Sequence, residues 1–397
     1  MRKRIPHNVW ILSITSFLTD ISSEMLFNLL PLFLVNVLGV RIAVVGLIEG
    51  LAETIASLIK LGSGALSDYL ENRKTLTVIG YGLSALVKPL LFFANSWGWV
   101  LAVRFTDRVG KGIRSSPRDA LLADSTPEDR RGLAFGLHRA ADTAGAFTGL
   151  VIAALVVWAS QASAAELSRN TFQKVTLVSI IPAFLGVIVL ALGAREVVTS
   201  RTSREGRRLK FSGLDHKFWA FLVVVVIFTL GNSADAFIIL RAQERGLNVL
   251  QVLGMLLTFN AVYTIIASPA GALSDRIGRR AVLIAGWLVY GLIYLGFAAA
   301  NTGAQIWLFY GVYGLYYALT EGASRAFVAD LVPQEQRGTA YGLFHAGVGL
   351  AALPASLIAG ILWQGLGGWS GLGPAAPFFF GAVLALISVV LFVVWVR

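Results

Sequence analysis

The sequence predicts an all-α membrane protein with twelve transmembrane helices in two pseudo-symmetric six-helix bundles. Three observations support this fold class. Hydrophobic residues make up 56% of the 397 residues and charged residues only 14%, whereas a soluble domain usually carries about 25% charged residues. Long apolar runs alternate with short basic loops. The second half of the chain also repeats motifs of the first half.

Each predicted span is an apolar run long enough to cross a bilayer, which takes roughly 20 residues of α-helix. The twelve runs cover residues 9–35, 43–66, 75–95, 98–117, 131–158, 172–194, 217–240, 248–272, 280–300, 303–328, 338–363 and 373–396. The start, Met1-Arg-Lys-Arg4, resembles a signal peptide. Because the following run is long, contains acidic residues and precedes no small-residue cleavage site, we interpret it as a retained first span.

The distribution of lysine and arginine predicts the orientation. If both termini are cytoplasmic, the external segments contain only Arg41, Arg169, Lys174, Arg241 and Arg245. Cytoplasmic loops of membrane proteins carry the excess of basic residues. We therefore expect both termini to be cytoplasmic, in a bacterial inner (plasma) membrane. The net charge of +11 then indicates contact with the lipid bilayer and not with nucleic acid.

A polar, basic segment from Arg195 to Asp215 divides the chain near its midpoint. It predicts an N-terminal bundle over 1–194, a cytoplasmic linker over 195–216 and a C-terminal bundle over 217–397. The cations of the linker suit anionic lipid head groups. A regulatory docking site is the alternative.

The two halves share sequence at a nearly constant offset. Gly64-Ala-Leu-Ser-Asp68 recurs as Gly271-Ala-Leu-Ser-Asp275, 207 residues later. Arg118–Ala140 aligns with Ser324–Ala346 at an offset of 206, with ten identities in 23 positions. This similarity predicts the duplication of a six-span unit.

The segment Gly271-Ala-Leu-Ser-Asp-Arg-Ile-Gly-Arg-Arg280 resembles the loop signature of the major facilitator superfamily, between spans eight and nine. The resemblance covers essentially the whole chain. It implies a functional monomer that transports a small molecule by alternating access, with the site between its halves. The first copy, Gly64–Lys74, keeps Asp68 but lacks the following Arg and the second Gly. Span five also lacks the Gly-Pro motif of many drug–proton antiporters of this superfamily.

The two copies of the signature predict a cytoplasmic gate. Asp68 and Asp275 end spans at the cytoplasmic face, where a carboxylate can pair with helix N-terminal amides or with arginines. Such a bond must break when this face opens, so it would bias the conformational equilibrium. The expected gate residues are Asp68, Asp275, Arg276, Arg279, Arg118 and Arg325. A tight turn with a capping aspartate is the alternative.

Ionisable residues lie within the predicted spans, where a central charge costs roughly 2.5–3.5 kcal/mol on insertion scales. The acids are Asp20, Glu24, Glu49, Glu53, Asp107, Asp142, Asp235 and Glu321, and the bases are Lys60, Lys88, Arg104, Arg108, Lys111, Arg139 and Arg325. They are expected to line a wet cavity, to pair, or to lie near the interfaces. Asp20 and Glu24 are one turn apart on span one, and Arg104, Asp107 and Arg108 share one face of span four.

The resemblance implies that spans one, four, seven and ten line the substrate cavity. The candidate cavity residues are Arg104, Asp107, Arg108, Asn232, Tyr313, Tyr317 and Glu321, with Asn232 one turn from Asp235 on span seven. Span ten also carries Tyr310 and Tyr316. A charged half and an aromatic half suit an amphiphilic or aromatic organic solute with a charged group. Ordinary helix packing is the alternative for each tyrosine.

A carboxylate that is buried beside apolar surface can carry a proton. Asp20, Glu24, Asp235 and Glu53 are therefore candidates for proton coupling, with sodium as the alternative ion. We expect proton-coupled export of a small amphiphilic or charged organic compound. The alternative is proton- or sodium-coupled uptake of a small organic anion or zwitterion. Arg104 and Arg108 could hold an anionic substrate group or act as counter-ions for Asp20 and Glu24.

Two other classes of protein are disfavoured. An embedded enzyme would need a compact catalytic constellation or metal cluster, but the four histidines are scattered and the chain has no cysteine. No enzymatic activity, cofactor or metal site is therefore predicted. Gly110-Lys-Gly112 is too short for a nucleotide-binding phosphate loop. Channels usually assemble around a shared filter, whereas a two-half duplication places the site within one chain.

Overall fold

The computed structural model describes residues 5–70, 72–127, 130–197, 214–333 and 336–396. Every regular element within these residues is a helix, as predicted. Most of the predicted linker, residues 198–213, lies outside the described residues.

The first half of the chain contains seven α-helices within the described residues. They are α1 (His7–Phe27), α2 (Leu30–Leu32), α3 (Ile42–Leu70), α4 (Arg73–Val87), α5 (Trp97–Asp124), α6 (Arg131–Gln161) and α7 (Arg169–Gly193). A π-helical turn at Phe33–Val37 continues α2, and a 3-10 helix at Lys88–Phe93 continues α4.

The second half likewise contains seven α-helices within the described residues. They are α8 (His216–Gly231), α9 (Ala236–Glu244), α10 (Val249–Ile277), α11 (Arg279–Ala299), α12 (Gly303–Asp330), α13 (Arg337–Gln364) and α14 (Ala376–Trp395).

Ten helical segments of the described chain are long and apolar enough to cross a membrane. The helices α5 and α12 lie where spans four and ten were predicted, and each has 28 residues. Neither helix is among these ten, because both are less apolar than the others. The helix α5 carries many charges, and α12 carries tyrosines and a polar C-terminal end. Ten helices that could cross a membrane are thus present among the described residues, while the count of twelve crossings stays a prediction.

Two predicted spans are interrupted. In span one, α1 ends at Phe27, and Pro31, which has no N–H to donate, lies in the next short helix. In span seven, α8 ends at Gly231 and α9 begins at Ala236, so the four residues 232–235 are not helical. This segment contains Asn, Ser and Asp, whose side chains compete with helical backbone hydrogen bonds.

The chain forms two compact units. The N-terminal unit comprises Met1–Gly39 and Ile55–Arg204, and the C-terminal unit comprises Val40–Thr54 and Glu205–Arg397. The helix α3 therefore begins in the C-terminal unit and ends in the N-terminal unit. The boundaries 1–194, 195–216 and 217–397 remain the prediction for two bundles and a linker.

Glycines allow close helix packing in the N-terminal unit, where α1 contacts α6 and α7, and α4 contacts α5. A Cβ atom at Gly149 of α6 would lie 3.0 Å from the Cα of Ile21 in α1. A Cβ atom at Gly80 of α4 would lie 2.7 Å from the carbonyl oxygen of Gly110 in α5. Small residues commonly bring membrane helices this close.

In the C-terminal unit, α12 contacts α10 and α11, while α14 contacts α8 and α11. The first half of α3 packs on α13 along a contact that we call the α3–α13 seam. A Cβ atom at Gly50 would lie 2.9 Å from the Cα of Leu353, and the Thr54 hydroxyl donates to the Gly349 carbonyl at 2.6 Å. The backbone N–H of Ala234 also donates to the hydroxyl of Ser356 in α13, with the two heavy atoms 3.4 Å apart. The seam therefore adjoins the break between α8 and α9.

Candidate functional site

Three cations of the N-terminal unit surround the ring of Phe27, the last residue of α1. The guanidinium carbon of Arg104 lies 4.1 Å from the ring centroid, that of Arg108 lies 5.8 Å away, and the Lys88 Nζ lies 5.8 Å away. All three basic side chains are buried. Cations at these distances are attracted to an aromatic face. The structure thus brings the predicted Arg104 and Arg108 together with Lys88; we call this group the Phe27 cluster.

Carboxylates lie close to the Phe27 cluster. Asp107 is buried and lies 4.0 Å from Arg104, one turn away on α5. The half-buried Glu24 accepts a hydrogen bond of 2.7 Å from the Asn28 side chain, at the break in span one. The Lys88 ammonium donates to the hydroxyls of Ser22 and Ser23 at 2.9 and 3.0 Å. This lysine therefore ties the 3-10 helix after α4 to the end of α1.

Asp20 has an acidic neighbour that the sequence analysis did not select. Charged groups near Asp20 include Asp142 of α6 and Glu24, together with Arg114 and Lys111 of α5 and Lys88. Spacing within α1 predicted only the pairing with Glu24. The approach of Asp142 depends on the packing of α1 on α6, which no local pattern reveals.

His138 is a buried histidine beside Asp142. Its Nε2 lies 3.8 Å from a carboxylate oxygen of Asp142, and neither ring nitrogen has a hydrogen-bond partner in the described structure. Buried polar atoms are usually hydrogen-bonded, so such a group calls for an explanation. The spacing of four on one helix could have identified this pair from sequence.

In the C-terminal unit, tyrosine hydroxyls converge on the break between α8 and α9. The hydroxyls of Tyr290, Tyr294 and Tyr313 lie 3.5, 3.4 and 3.3 Å from the side-chain oxygen of Asn232. The Tyr313 hydroxyl also lies 3.4 Å from a carboxylate oxygen of Asp235. Asn232 and Asp235 were predicted to lie one turn apart on one helix. They are instead the first and last residues of the non-helical break between α8 and α9.

A second group of polar and aromatic side chains follows along α12. Tyr317 stands perpendicular to Phe259 of α10, with ring centroids 5.5 Å apart. One turn further, Glu321 accepts hydrogen bonds from the Tyr263 hydroxyl at 2.5 Å and from Arg325 at 2.9 Å. Sequence reasoning selected Tyr313, Tyr317 and Glu321 but missed the partners on α10 and α11, because helix pairing is not encoded in spacing.

The remaining proton-coupling candidate, Glu53, lies on α3. It is exposed and lies on the part of α3 that belongs to the C-terminal unit, one turn after the buried Glu49. Within the described residues, no group of three or more His, Cys, Asp or Glu side chains could hold a metal ion.

The predicted gate residues lie on different helices and have different partners. Arg279 lies 3.7 Å from Asp275 and also forms an ion pair with Asp330. Arg276 is exposed in the last turn of α10. Arg118 lies inside α5, which continues past the predicted end of span four, and donates to Asp119 at 2.8 Å. The side chain of Asp68 lies outside the described part of the chain.

The N-terminal unit has a counterpart of the Arg279–Asp330 pair. Arg73, 206 residues before Arg279, forms an ion pair with Asp124, 206 residues before Asp330. The Glu196 carboxylate accepts from the backbone N–H groups of Arg73 and Lys74 at 3.1 and 2.7 Å. A carboxylate stabilises a helix N-terminus in this way. The repeat is evident in the sequence. The hydrogen bonds between Glu196, which follows α7, and the start of α4 are not.

Comparisons with known proteins agree with this architecture. The sequence model described as Major Facilitator Superfamily matches residues 12–266 and 240–397. An uncharacterized MFS-type transporter of Methanocaldococcus jannaschii is 36% identical over 392 residues, which cover 97% of this chain and 94% of that protein. The multi-drug resistance efflux pump PmrA of Streptococcus pneumoniae is 23% identical over 333 residues, or 80% of each chain.

The fold is also shared with a solved transporter. A crystal structure of a mutant of the nucleoside transporter NupG superposes with a TM-score of 0.81 at 13% identity, covering 98% of this chain and 100% of that chain. The family match extends over nearly the whole chain, and the helices, the duplicated loop motif and the charged residues within helices are those of a membrane transporter. The chain belongs to the major facilitator superfamily.

Proposed function

We propose that this transporter exports a small amphiphilic or charged organic compound in exchange for protons, by alternating access. The observation that carries the proposal is the pair of carboxylates, Asp20 and Glu24, on a helix that could cross a membrane. Asp20 interacts with Lys88 of the Phe27 cluster, and Glu24 lies one turn before Phe27 itself. Carboxylates in such a setting can bind and release protons. The 23% identity to an efflux pump supports export.

Two further carboxylates and a cytoplasmic gate belong to the proposed transport cycle. Asp235 and Glu53 are further proton-coupling candidates, and the Asp275–Arg279 pair belongs to a gate together with Asp68. We place the protein in a bacterial inner membrane, with both termini cytoplasmic, as a functional monomer. Sodium is the alternative coupling ion.

Proton flux in proteoliposomes tests the proposal. Vesicles that contain a pH-sensitive dye would receive ethidium, rhodamine 6G or tetracycline under an imposed pH gradient. The wild type is expected to move protons when a transported probe is added, and Asp20→Asn and Glu24→Gln to lose this movement. The matched control is Glu166→Gln, which removes an exposed carboxylate between α6 and α7. Unaltered coupling in both variants would show that these carboxylates do not carry the proton.

Uptake of a small organic anion or zwitterion is the second candidate function. It is favoured by one observation, the three buried cations around Phe27. Arginine pairs well with carboxylates and phosphates, so this cluster could hold an anionic group of the substrate.

A further inference from the structure

We propose that the C-terminal unit binds the cationic group of a lipophilic organic cation at a strip formed by Asp235, Tyr313, Tyr317, Phe259 and Glu321. We call these residues the acidic aromatic strip. The inference rests on the proposed transport function and narrows it, because it assigns a charge and a shape to the substrate.

The geometry of α12 defines the strip. Tyr313, Tyr317 and Glu321 follow one another at intervals of four residues, so they share one face of the helix. At a rise of 1.5 Å per residue, the strip extends about 12 Å from Tyr313 to Glu321. The Tyr313 hydroxyl contacts Asp235 at one end, and the Tyr263 hydroxyl contacts Glu321 at the other. Two carboxylates thus border a row of aromatic rings.

The rings at the centre of the strip remain accessible. Tyr317 and Phe259 are half-buried, as are Asp235 and Glu321. In contrast, Tyr313 is buried at one end of the strip, where its ring contacts those of the buried Tyr290, Tyr294 and Tyr310. Tyr317 stands at 90° to Phe259 and at 89° to Tyr313. Half-buried rings at right angles can present a face and an edge to a bound apolar group.

The chemistry of the strip favours a cation. Tyrosine hydroxyls donate to Asp235 and Glu321, and a carboxylate can accept several hydrogen bonds. The faces of aromatic rings are negative and attract cations, by about 0.5–2 kcal/mol per contact. Carboxylates together with ring faces therefore select positive charge and reject anions.

The helices α12 and α9 each carry one basic side chain, Arg325 and Arg241. Arg325 pairs with Glu321 at 2.9 Å at the border of the strip, and its side chain is 55% exposed, so salt and solvent partly screen its charge. Arg241 is fully buried and donates to the carbonyl oxygens of Phe297, Ala298 and Ala300 and to Glu244. It is thereby fixed in another part of the unit.

The strip also contains Asp235, which is one of the proton-coupling candidates. A carboxylate that binds a proton loses the charge that attracts the cation, so the two ligands would compete for Asp235. Competition at one group is sufficient to couple the release of one ligand to the binding of the other.

Equilibrium binding to the purified full-length protein tests the site. The probes are tetraphenylphosphonium and tetraphenylborate, which share a shape and differ in the sign of their charge. The wild type should bind the phosphonium saturably and more tightly than the borate. Asp235→Asn and Glu321→Gln should each weaken phosphonium binding about tenfold or more, equivalent to 1.4 kcal/mol. Tyr317→Leu should weaken it about threefold because ring contacts are lost.

Controls separate loss of the site from loss of folding. Glu166→Gln should bind the phosphonium as the wild type does, and Asp235→Glu, which restores the charge, should recover part of the affinity lost in Asp235→Asn. Melting temperatures would confirm that each variant is folded. Unchanged phosphonium affinity in both Asp235→Asn and Glu321→Gln would overturn the proposal. So would borate binding that is as tight as phosphonium binding in the wild type.

Transport distinguishes this inference from the proposed function. Suppose that the phosphonium binds at the strip but a pH gradient never drives its movement in proteoliposomes. Proton-coupled export is then wrong, while the site stands. If Asp235→Asn and Glu321→Gln transport the phosphonium with the KM of the wild type, the site is wrong and export is unaffected.

Discussion

At the scale of single residues, Arg104 and Arg108 separate the two candidate functions. If the protein exports a cation, these arginines are counter-ions for neighbouring carboxylates, and organic anions should not stabilise the protein. Arg104→Ala and Arg108→Ala should then lower the melting temperature, since each removes a buried cation from the Phe27 ring and leaves carboxylates less compensated. A thermal-shift screen with organic anions such as benzoate and glutarate measures both effects.

The opposite outcome of this screen would favour anion uptake. Anions would then raise the melting temperature of the wild type and fail to do so in both arginine variants. If anions stabilised both variants as fully as the wild type, they would bind elsewhere, and the Phe27 cluster would not be an anion site. Lys174→Ala is the matched control, because this cation of α7 is exposed and its Nζ donates to the hydroxyl of Ser160 at the end of α6.

Sequence patterns predicted individual helix faces but not the residues that meet across helices. Arg104, Asp107 and Arg108 were placed on one face of span four, and the structure shows all three buried there. Phe27, the ring that gathers the cations, carries no charge and gave no signal. Its role depends on the approach of α1 to α5, and a contact between residues so distant in sequence has no periodic signature.

At the scale of helices, hydropathy predicted where helices lie but not where they break. A window of about 20 residues averages over the four non-helical residues 232–235, so span seven appeared continuous from 217 to 240. The break is local: Asn232 ends α8, and its side-chain oxygen is engaged by tyrosine hydroxyls of α11 and α12. For the same reason, a hydropathy window did not reveal that α1 ends at Phe27.

The α3–α13 seam supplies a prediction about helix packing. Gly50→Val would place side-chain carbon where the Cα of Leu353 is only 2.9 Å from the new Cβ. Such overpacking typically costs about 1–3 kcal/mol, so we expect a lower melting temperature in detergent. Gly82→Val is the matched control, since nothing lies within 4 Å of a Cβ at Gly82 of α4. Equal melting temperatures for the two variants would show that the seam does not hold the helices this closely.

At the scale of the whole molecule, the sequence repeat reappears as repeated ion pairs. Each unit joins the start of one helix to the end of the next, through Arg73–Asp124 in the N-terminal unit and Arg279–Asp330 in the C-terminal unit. The repeat was readable because identities accumulate at one offset. The ion pairs could not be predicted from the sequence. Arg73 lies in the first copy of the loop signature, which has lost part of the motif and so does not indicate that Arg73 pairs with Asp124.

The two copies of this ion pair should contribute unequally to stability. The side chains of Arg73 and Asp124 are 19% and 18% exposed, whereas those of Arg279 and Asp330 are 35% and 43% exposed. Exposed pairs contribute about 0–1 kcal/mol, and removing one partner from a more buried pair leaves the other charge poorly solvated. Asp124→Asn should therefore lower the melting temperature more than Asp330→Asn does, with Glu166→Gln as the control for loss of a carboxylate.

Equal losses of melting temperature, or a larger loss for Asp330→Asn, would mean that the burial of the pair does not govern its contribution to stability. In that case the anchoring of Arg73 by Glu196 and by the Ala120 carbonyl oxygen would be sufficient to hold α4 without Asp124.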